Sequence, residues 1–499
     1  MEYNILIQSE FFTPYSHELH KRTFRTEWRR DPAQTGRGGR TCRGEPAERG
    51  ATFHMGHVTT KEAYKTLEER INWFTQGAPA SPTLYKILEV LYTEEQARSI
   101  ALLPVRPFTV KRAAKIWGLS EAQTEDKLIK LCEKGLLVDS EYNGTRQFVV
   151  PPPMAGFIEF ALMRMRGDID QKYLGELYYQ YMNVEEDFVK DLFFATETKL
   201  GRVFVQEPVL AGKYTNHILD YERATHIIEE AKYIGLGLCY CRHKAYHEGH
   251  PCAINAPWDV CMTFGNVAHS LAEHGGHARL IDKSEAMDVL QRSYEANLVQ
   301  IGENVREEPS FICNCCGCCC EALQASRRFA PMVPIATSNY IPEINYDKCV
   351  SCGKCAKVCP IWALKMEKKD ENARRKYPVL NREICLGCGV CARNCPTKAL
   401  TLEKRPIEVI TPVNSTHRFI LQAIEKGTLQ NLVFDEQAFA SHRAMAAMFS
   451  VILKLPPIKQ ALASKQFKSV YLDRLLSKQH EKDKRREQER TLKNTSTDA

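Results

Sequence analysis

Apolar residues recur at helical spacing from about residue 81 onward, and this pattern predicts a run of short helices. The first is predicted over residues 82–101, after a Ser81-Pro82 start signal. Its apolar positions lie three or four residues apart, at Leu84, Ile87, Leu88 and Leu91. A second helix is predicted from the cap Thr109 to Trp117, and a third over residues 121–134 after the cap Ser120.

Two short strands are predicted to follow these helices. Residues 136–141 and 147–150 are predicted strands, and Asn143-Gly144 between them favours a tight turn. The order helix, turn, helix, hairpin is typical of a winged helix, so we predict a winged-helix-like domain over residues 55–150.

Such a module binds either DNA or another protein surface. A recognition helix presents its first turns to phosphates and bases. Here those turns carry Glu121, Glu125 and Asp126, and the hairpin offers only Arg146. Because phosphate neutralisation dominates affinity for DNA, the acidic entry disfavours DNA binding and favours a docking role.

In the rest of the chain the sequence pattern predicts a mixed α/β central domain and a helical C-terminal region. Pro151-Pro152-Pro153 is predicted to be a stiff linker, and a central domain is expected over residues 151–340. Further helices are predicted over residues 154–182, 222–233, 284–296, 417–423 and 438–455. Residues 406–499 are predicted to be a helical region with a charged tail. The fold class expected is therefore a multidomain α+β protein.

The first 54 residues lack the pattern of a folded domain. Residues 32–50 are rich in Arg, Gly, Pro and Glu and almost free of apolar side chains, so they cannot bury enough surface to order themselves. We expect a disordered arm, or a spurious extension with Met55 as the true start.

Composition narrows the class of protein. Twenty cysteines without a secretory leader point to metal binding in a reducing compartment. No apolar run reaches the length of a membrane span. The net charge of +7 is dispersed, since residues 1–54 carry +2 and residues 478–493 carry +3. We therefore expect a cytoplasmic protein of an anaerobic host, with no membrane span and no concentrated basic face.

Two copies of one cysteine motif lie 36 residues apart, and each has the spacing C-x2-C-x2-C-x3-C-P. This spacing is a ligand set for two [4Fe–4S] clusters, in which the fourth cysteine of each run crosses to the other cluster. The predicted sets are Cys349, Cys352, Cys355 and Cys395 for one cluster and Cys385, Cys388, Cys391 and Cys359 for the other. Zinc sites would leave the third cysteine, the fourth cysteine and the proline of each run unexplained.

Residues 341–405, which contain these motifs, resemble a bacterial-type two-cluster ferredoxin domain. The resemblance implies transfer of single electrons at low potential. A longer charged insertion, residues 365–376, departs from the minimal family pattern. Ile361, Trp362 and Leu364 are candidates for the apolar shell around the clusters.

A second cysteine-rich zone precedes this domain. Cys239, Cys241, Cys252 and Cys261 suffice for one more [4Fe–4S] cluster, or for a zinc site with His243, His247 or His250 as substitutes. Six further cysteines follow within eight residues: Cys313, Cys315, Cys316, Cys318, Cys319 and Cys320. Neighbouring cysteines point in different directions, so these six are not expected to clasp one metal. Three roles stay open for these cysteines: ligands of a further cluster, thiol–disulfide chemistry, or ordinary buried side chains.

Taken together, Cys-x-Cys-Arg, the six-cysteine block and the paired motifs resemble a family of uncharacterised bacterial and archaeal 4Fe–4S dicluster-domain proteins. The resemblance spans residues 55–402 and implies iron–sulfur binding without an assigned substrate.

Three functions remain open from the sequence. The first is an electron-transfer protein or oxidoreductase subunit with two [4Fe–4S] clusters and a possible third cluster or zinc ion. The second is a redox-sensing regulator acting through the winged helix, and the third is a cluster-handling relay. No phosphate-binding glycine loop is present, so an external redox partner protein is required. The small-molecule substrate and the catalytic residues stay unknown.

Overall fold

The computed structural model describes residues 55–453 except 143, 211–219, 369–373, 407–408, 410 and 436–439. The predicted arm at residues 1–54 and the charged tail lie outside the described residues. None of the described helices combines the length and apolar character that a bilayer crossing requires.

The first part of the described chain is helical and ends in a small sheet. Its elements are α1 (Met55–Ile71), α2 (Pro82–Leu91), α3 (Glu94–Ala101), β1 (Phe108–Thr109), α4 (Val110–Trp117), α5 (Glu121–Glu133), β2 (Val138–Tyr142) and β3 (Thr145–Val149). The strands pair antiparallel in the order β1-β3-β2. Thr109 and Ser120 cap α4 and α5 as predicted.

The single helix predicted over residues 82–101 is wrong, because the chain breaks between α2 and α3. Thr93 caps α3 and forms a capping box with Gln96, whose side chain accepts the Thr93 N–H at 3.0 Å. A capping box satisfies free N–H groups at a new helix start, so it favours two helices over one.

The central part contains a six-stranded antiparallel sheet with helices between its strands. Its elements are α6 (Ile158–Phe160), α7 (Gln171–Tyr179), α8 (Asp187–Phe194), β4 (Gly201–Val203), α9 (Ala224–Glu230), β5 (Ile234–Leu238), α10 (Tyr240–His247), β6 (Asp259–Phe264), α11 (Gly265–Glu273), β7 (Arg279–Ile281), α12 (Lys283–Glu295), β8 (Val299–Glu303), β9 (Phe311–Cys315) and α13 (Glu321–Arg328). The strand order is β4-β8-β9-β6-β5-β7.

The long helix predicted over residues 154–182 is also wrong. An irregular turn separates α6 from α7, and the buried Gln171 amide holds it by donating to Ala161 O at 3.0 Å and Arg164 O at 2.8 Å. The spacing of apolar residues alone does not predict this turn. In the segment predicted as a stiff linker, Pro151 and Pro153 are buried, so it packs against the rest of the fold.

The third part has two strand pairs and two short helices. Its elements are β10 (Tyr340–Ile344), α14 (Lys354–Val358), β11 (Leu364–Lys368), β12 (Lys376–Leu380), α15 (Val390–Arg393) and β13 (Leu400–Lys404). β10 pairs with β13 and β11 pairs with β12, both antiparallel. The charged insertion thus supplies most of β11 and only the first residue of β12.

Three helices follow: α16 (Ser415–Lys426), α17 (Leu429–Val433) and α18 (Ala440–Leu453). A buried ion pair joins α16 to β8, with Arg418 Nη2 2.9 Å from Glu303 Oε1. One continuous apolar core connects the helical part, the central sheet and the third part, through fully buried residues such as Leu84, Leu298 and Val390.

Candidate iron–sulfur sites

The two cysteine motifs form two separate cavities, each lined by four cysteines. The first cavity, here the outer site, is lined by Cys349, Cys352, Cys355 and Cys395. The second, here the inner site, is lined by Cys359, Cys385, Cys388 and Cys391. In each cavity three cysteines come from one motif and the fourth from the other, which is the grouping expected from the spacing.

Backbone geometry repeats between the two halves. Ala399 N–H donates to Cys395 Sγ and Ala363 N–H donates to Cys359 Sγ, both at 3.2 Å. Asn345 N–H donates to Ala399 O, as Asn381 N–H does to Ala363 O, both at 2.8 Å. Such N–H···S contacts stabilise negative charge on sulfur, so the fourth cysteine of each motif is prepared for ligation.

A positive φ angle occurs at matching glycines in the two cysteine loops. Gly353 and Gly389 have φ values of +73° and +86° and precede α14 and α15. Only glycine adopts this conformation without strain, and it turns the chain so that the second and third cysteines of each motif face one cavity.

The two sites differ in solvent access. Cys352 of the outer site is exposed, whereas Cys385 and Cys391 of the inner site are buried. Burial raises the pKa of Cys385 to about 11 and that of Cys388 to about 12. Burial also opposes ionisation of Cys395, but contacts from the Leu400 N–H and the Thr397 hydroxyl hold its pKa below the ordinary value.

The apolar shell is only partly the one predicted. Ile361 and Leu364 line the inner site. Trp362 is 60% exposed, and the Arg327 guanidinium lies over its ring at 4.4 Å. The tryptophan therefore joins this loop to α13 rather than enclosing the inner site.

Six cysteines of the central part surround a third cavity of about 70 Å³, and we name this set the thiol ring. Its members are Cys239, Cys241, Cys261, Cys313, Cys315 and Cys320. Side-chain contacts run from Cys239 to Cys241, Cys320, Cys315, Cys313 and finally Cys261. Interactions with Cys241 and Cys315 lower the pKa of Cys320 to about 5.

Local structure explains how the ring is assembled. Cys313 and Cys315 lie two residues apart on β9, so both side chains leave the same face of the sheet. Asn314 points to the opposite face, where it donates to Val260 O at 2.9 Å. Cys239 and Cys320 directly precede α10 and α13. A helix N-terminus favours a thiolate, in keeping with the lowered pKa of Cys320, but the Cys241 contact and burial raise the pKa of Cys239.

The remaining cysteines of the block turn to a fourth location. Cys316, Cys318 and Cys319 lie with Cys252, and their four sulfurs are all within 4.8 Å of one another; we name them the four-thiol group. The prediction that Cys239, Cys241, Cys252 and Cys261 share one site is therefore not what the structure shows. β6 carries Cys261 to the sheet face, whereas Cys252 stays in the loop after α10.

The histidines of this zone do not join the thiols in the described structure. His243 is fully buried, its Nδ1 lies 2.9 Å from Leu162 O, and its ring packs against those of His247 and Trp258. Burial lowers the pKa of His243. Cys132, a buried residue of α5, belongs to none of the four groups.

The central part touches the inner site through one tight turn. A side chain at Gly317 would place its Cβ 2.3 Å from Pro360 O, directly after the inner-site ligand candidate Cys359. Arg327 interacts electrostatically with Cys318, Cys320, Cys316 and Cys359. The inner site, the thiol ring and the four-thiol group are thus neighbours around one arginine.

A larger cavity of about 280 Å³ adjoins the thiol ring and shares Cys261, Cys313 and Glu159 with it. Burial raises the pKa of Glu159 well above its ordinary value. Sequence reasoning missed Glu159, because nothing in the pattern around it distinguishes a cavity-facing carboxyl from a surface one.

The geometry of the third part defines a class of protein module, an iron–sulfur domain with two thiolate sites. Residues 348–399 match the family described as 4Fe-4S dicluster domain. This match and the many cysteines support an iron–sulfur electron-transfer protein with a [4Fe–4S] cofactor. No curated protein and no solved structure matches the chain.

Proposed function

We propose that this protein is an electron-transfer protein or redox-enzyme subunit that holds two [4Fe–4S] clusters, in the outer and inner sites, and a further cluster in the thiol ring. The observation that carries the proposal is the pair of cavities, each lined by four cysteines drawn from both motifs. Bound there, the clusters would supply one-electron transfer.

The residues present fit such clusters. Each site offers four thiols, an apolar wall and a backbone N–H aimed at one sulfur. Thiolate ligands with N–H···S contacts and a dry shell are what tunes an iron–sulfur potential.

The positions of the two sites define a route for electrons between the protein surface and the central part. The outer site has the exposed Cys352 and suits exchange with a redox partner protein, whereas the inner site abuts the turn at Gly317 that leads to the thiol ring. We infer that the outer site exchanges electrons with the external partner and that the inner site passes electrons to or from a substrate near the 280 Å³ cavity. An exposed ligand also favours a reducing cytoplasm and an anaerobic host.

The domain organisation that we propose follows this division. Residues 55–150 form the winged-helix-like domain, residues 151–340 the cysteine-rich central domain, residues 341–405 the two-cluster domain and residues 406–499 the helical end. The helices α4 and α5, followed by the β2-β3 hairpin that pairs with β1, support the first assignment.

We assign that first domain to docking within the protein rather than to DNA. Asp139 N–H donates to Ser270 Oγ of α11 at 3.0 Å, and Arg146 Nη2 lies 3.0 Å from His274 Nε2. Arg146 also pairs with Asp139. The hairpin is therefore engaged by the central sheet region, which disfavours the redox-sensing regulator.

Paired substitutions test the ligand grouping on protein purified without oxygen. The double variant Cys349→Ser/Cys395→Ser removes two ligands of one proposed cluster and is expected to lower iron by about four per chain. The matched variant Cys349→Ser/Cys359→Ser removes one ligand from each site and is expected to lower iron by about eight. Equal losses in the two variants would contradict the crossing of the fourth cysteine.

Total iron tests the further cluster separately. About eight irons and eight sulfides per chain correspond to the outer and inner sites alone, and about twelve include the thiol ring. Cys261→Ser/Cys313→Ser is expected to lower the twelve to about eight and to leave the EPR signals of the outer and inner clusters in place. Unchanged iron would remove the ring cluster and leave the two-cluster proposal standing.

A further inference from the structure

The four-thiol group has the dimensions of a site for one ion rather than for a cluster. Cys252 Sγ lies 3.7 Å from Cys316 Sγ and 3.6 Å from Cys318 Sγ, and Cys318 and Cys319 sulfurs are 3.8 Å apart. A tetrahedral ion with metal–sulfur bonds of about 2.3 Å separates its sulfurs by about 3.8 Å. The observed edges match that value.

The other thiols of the same chain provide an internal comparison. A cubane holds its thiolates outside the corners of an iron tetrahedron, so their sulfurs lie much farther apart than those around one ion. Within the described residues, no three of the outer-site, inner-site or ring sulfurs approach one another within 4.8 Å, whereas all four sulfurs of the four-thiol group do. The four sulfurs of the four-thiol group thus converge on one point, which those of the other three sets do not.

The surroundings compensate the charge that such a site carries. Four thiolates around a divalent ion leave a net charge of −2. Arg242, which is 1% exposed, interacts with Cys252 and Cys316, and Arg327 interacts with Cys316 and Cys318. Arg242 is fixed by donating to Pro257 O at 2.9 Å and Asn314 O at 3.0 Å.

We propose that Cys252, Cys316, Cys318 and Cys319 bind a single tetrahedral thiophilic ion, zinc or iron, without inorganic sulfide. The ion would tie the loop after α10 to the turn between β9 and α13. Because Gly317 of that turn packs against Pro360, the ion would also fix the central domain against the inner-site loop. The site is distinct from the clusters of the proposed function and does not depend on them.

The experiment measures zinc, iron and acid-labile sulfide in the full-length chain purified without oxygen. The wild type is expected to hold about one zinc, or about one iron in excess of sulfide, since cubanes contain iron and sulfide in equal number. Cys252→Ser is expected to lose that one ion and to keep its sulfide. The matched control Cys132→Ser removes a thiol outside all four groups and is expected to keep both.

X-ray absorption at the metal edge is measured on the wild type, so it tests the proposal even if Cys252→Ser does not fold. Four sulfur neighbours at about 2.3 Å are expected for zinc, and for iron a Mössbauer component of a mononuclear tetrathiolate. The proposal is overturned if Cys252→Ser loses about four irons together with about four sulfides. It is also overturned if the wild type holds neither zinc nor iron in excess of sulfide, or if its zinc survives the substitution.

Discussion

Replacing Arg418 with methionine tests the contact that holds α16 on the central sheet. Glu303 accepts hydrogen bonds from Arg418 Nη2 at 2.9 Å, from the Ser310 N–H at 2.8 Å, and from the hydroxyls of Ser310 at 2.6 Å and Ser415 at 2.7 Å. The two charged side chains are only 3% and 2% exposed. Methionine keeps the length of the apolar stem and removes the charge, so a buried carboxylate is left without its cation.

Two arguments set the magnitude. Breaking one partner of a buried ion pair costs about 3–5 kcal/mol. The stranded carboxyl avoids the upper part of that range by taking up a proton, which for an ordinary glutamic acid costs about 3.7 kcal/mol at pH 7. We therefore expect a loss of about 4 kcal/mol at pH 7 in the free energy that holds α16 in place.

The pH dependence follows from the pKa of Glu303. Burial alone would raise that pKa, but Arg418 and the contacts from Ser310 and Ser415 hold it below 4.5. In the wild type the stabilisation is present above pH 4.5 and is lost as pH falls through the lowered pKa. In Arg418→Met the carboxyl must bind a proton, so the penalty grows by about 1.4 kcal/mol per pH unit between pH 5 and 7.

Hydrogen–deuterium exchange of α16 amides measures this local opening reversibly. A loss of about 4 kcal/mol lowers their protection at pH 7 by nearly three orders of magnitude, about a thousandfold. The matched control is Arg98→Met, whose ion pair with Glu94 has the same 2.9 Å separation but side chains 56% and 39% exposed, and is expected to cost under about 1 kcal/mol. Equal effects of the two substitutions on local protection, or a penalty independent of pH, would refute the reasoning.

Three further predictions concern the sites and the hairpin. Gly317→Ala places a Cβ 2.3 Å from Pro360 O and is expected to cost about 1–3 kcal/mol of stability in thermal unfolding. In the control Gly167→Ala no atom lies within 4 Å of the added Cβ, so stability is expected to change little. The Asn345 side chain accepts hydrogen bonds from the Asp347 and Lys348 N–H groups, at 3.0 and 3.1 Å. Asn345→Ala removes this acceptor, so it is expected to cost about 1 kcal/mol of stability and to speed iron release to a chelator. An unchanged release rate would contradict this. The full-length protein is expected to leave genomic DNA fragments unshifted in gels at physiological salt, and a salt-dependent shift would restore the regulator hypothesis.

The dicluster part could be predicted from the sequence in detail, because its ligands are spaced along two short loops. Local spacing decides which three sulfurs face one cavity, and the 36-residue repeat supplies the fourth. The structure groups all eight cysteines in the predicted sets, around cavities that repeat the same backbone contacts. Whether those sets ligate clusters stays a prediction.

The central cysteines could not be grouped in this way. Cys252 and Cys261 are close in sequence but lie in a loop and on a strand, so they face different groups. The alternation of β9 separates Cys313 and Cys315 from Asn314, and the turn after it separates Cys316 from both. Only the strand order β9-β6 shows that Cys313 meets Cys261, and helical or strand periodicity carries no information on that pairing.

Helix boundaries failed where a local signal competed with apolar spacing. Thr93 and Gln96 were readable as a capping box, and they mark the break between α2 and α3. The turn before α7 depends on one buried glutamine amide bonded to two distant carbonyls, which no spacing rule detects.

The stretch from residue 313 to residue 320 serves the thiol ring and the four-thiol group at once, with Cys315 next to Cys316 and Cys319 next to Cys320. If both proposed centres form, their assembly is coupled, because folding this peptide around one metal centre also positions the sulfurs of the other. On the same two proposals, oxidation of this one stretch would disable both centres together.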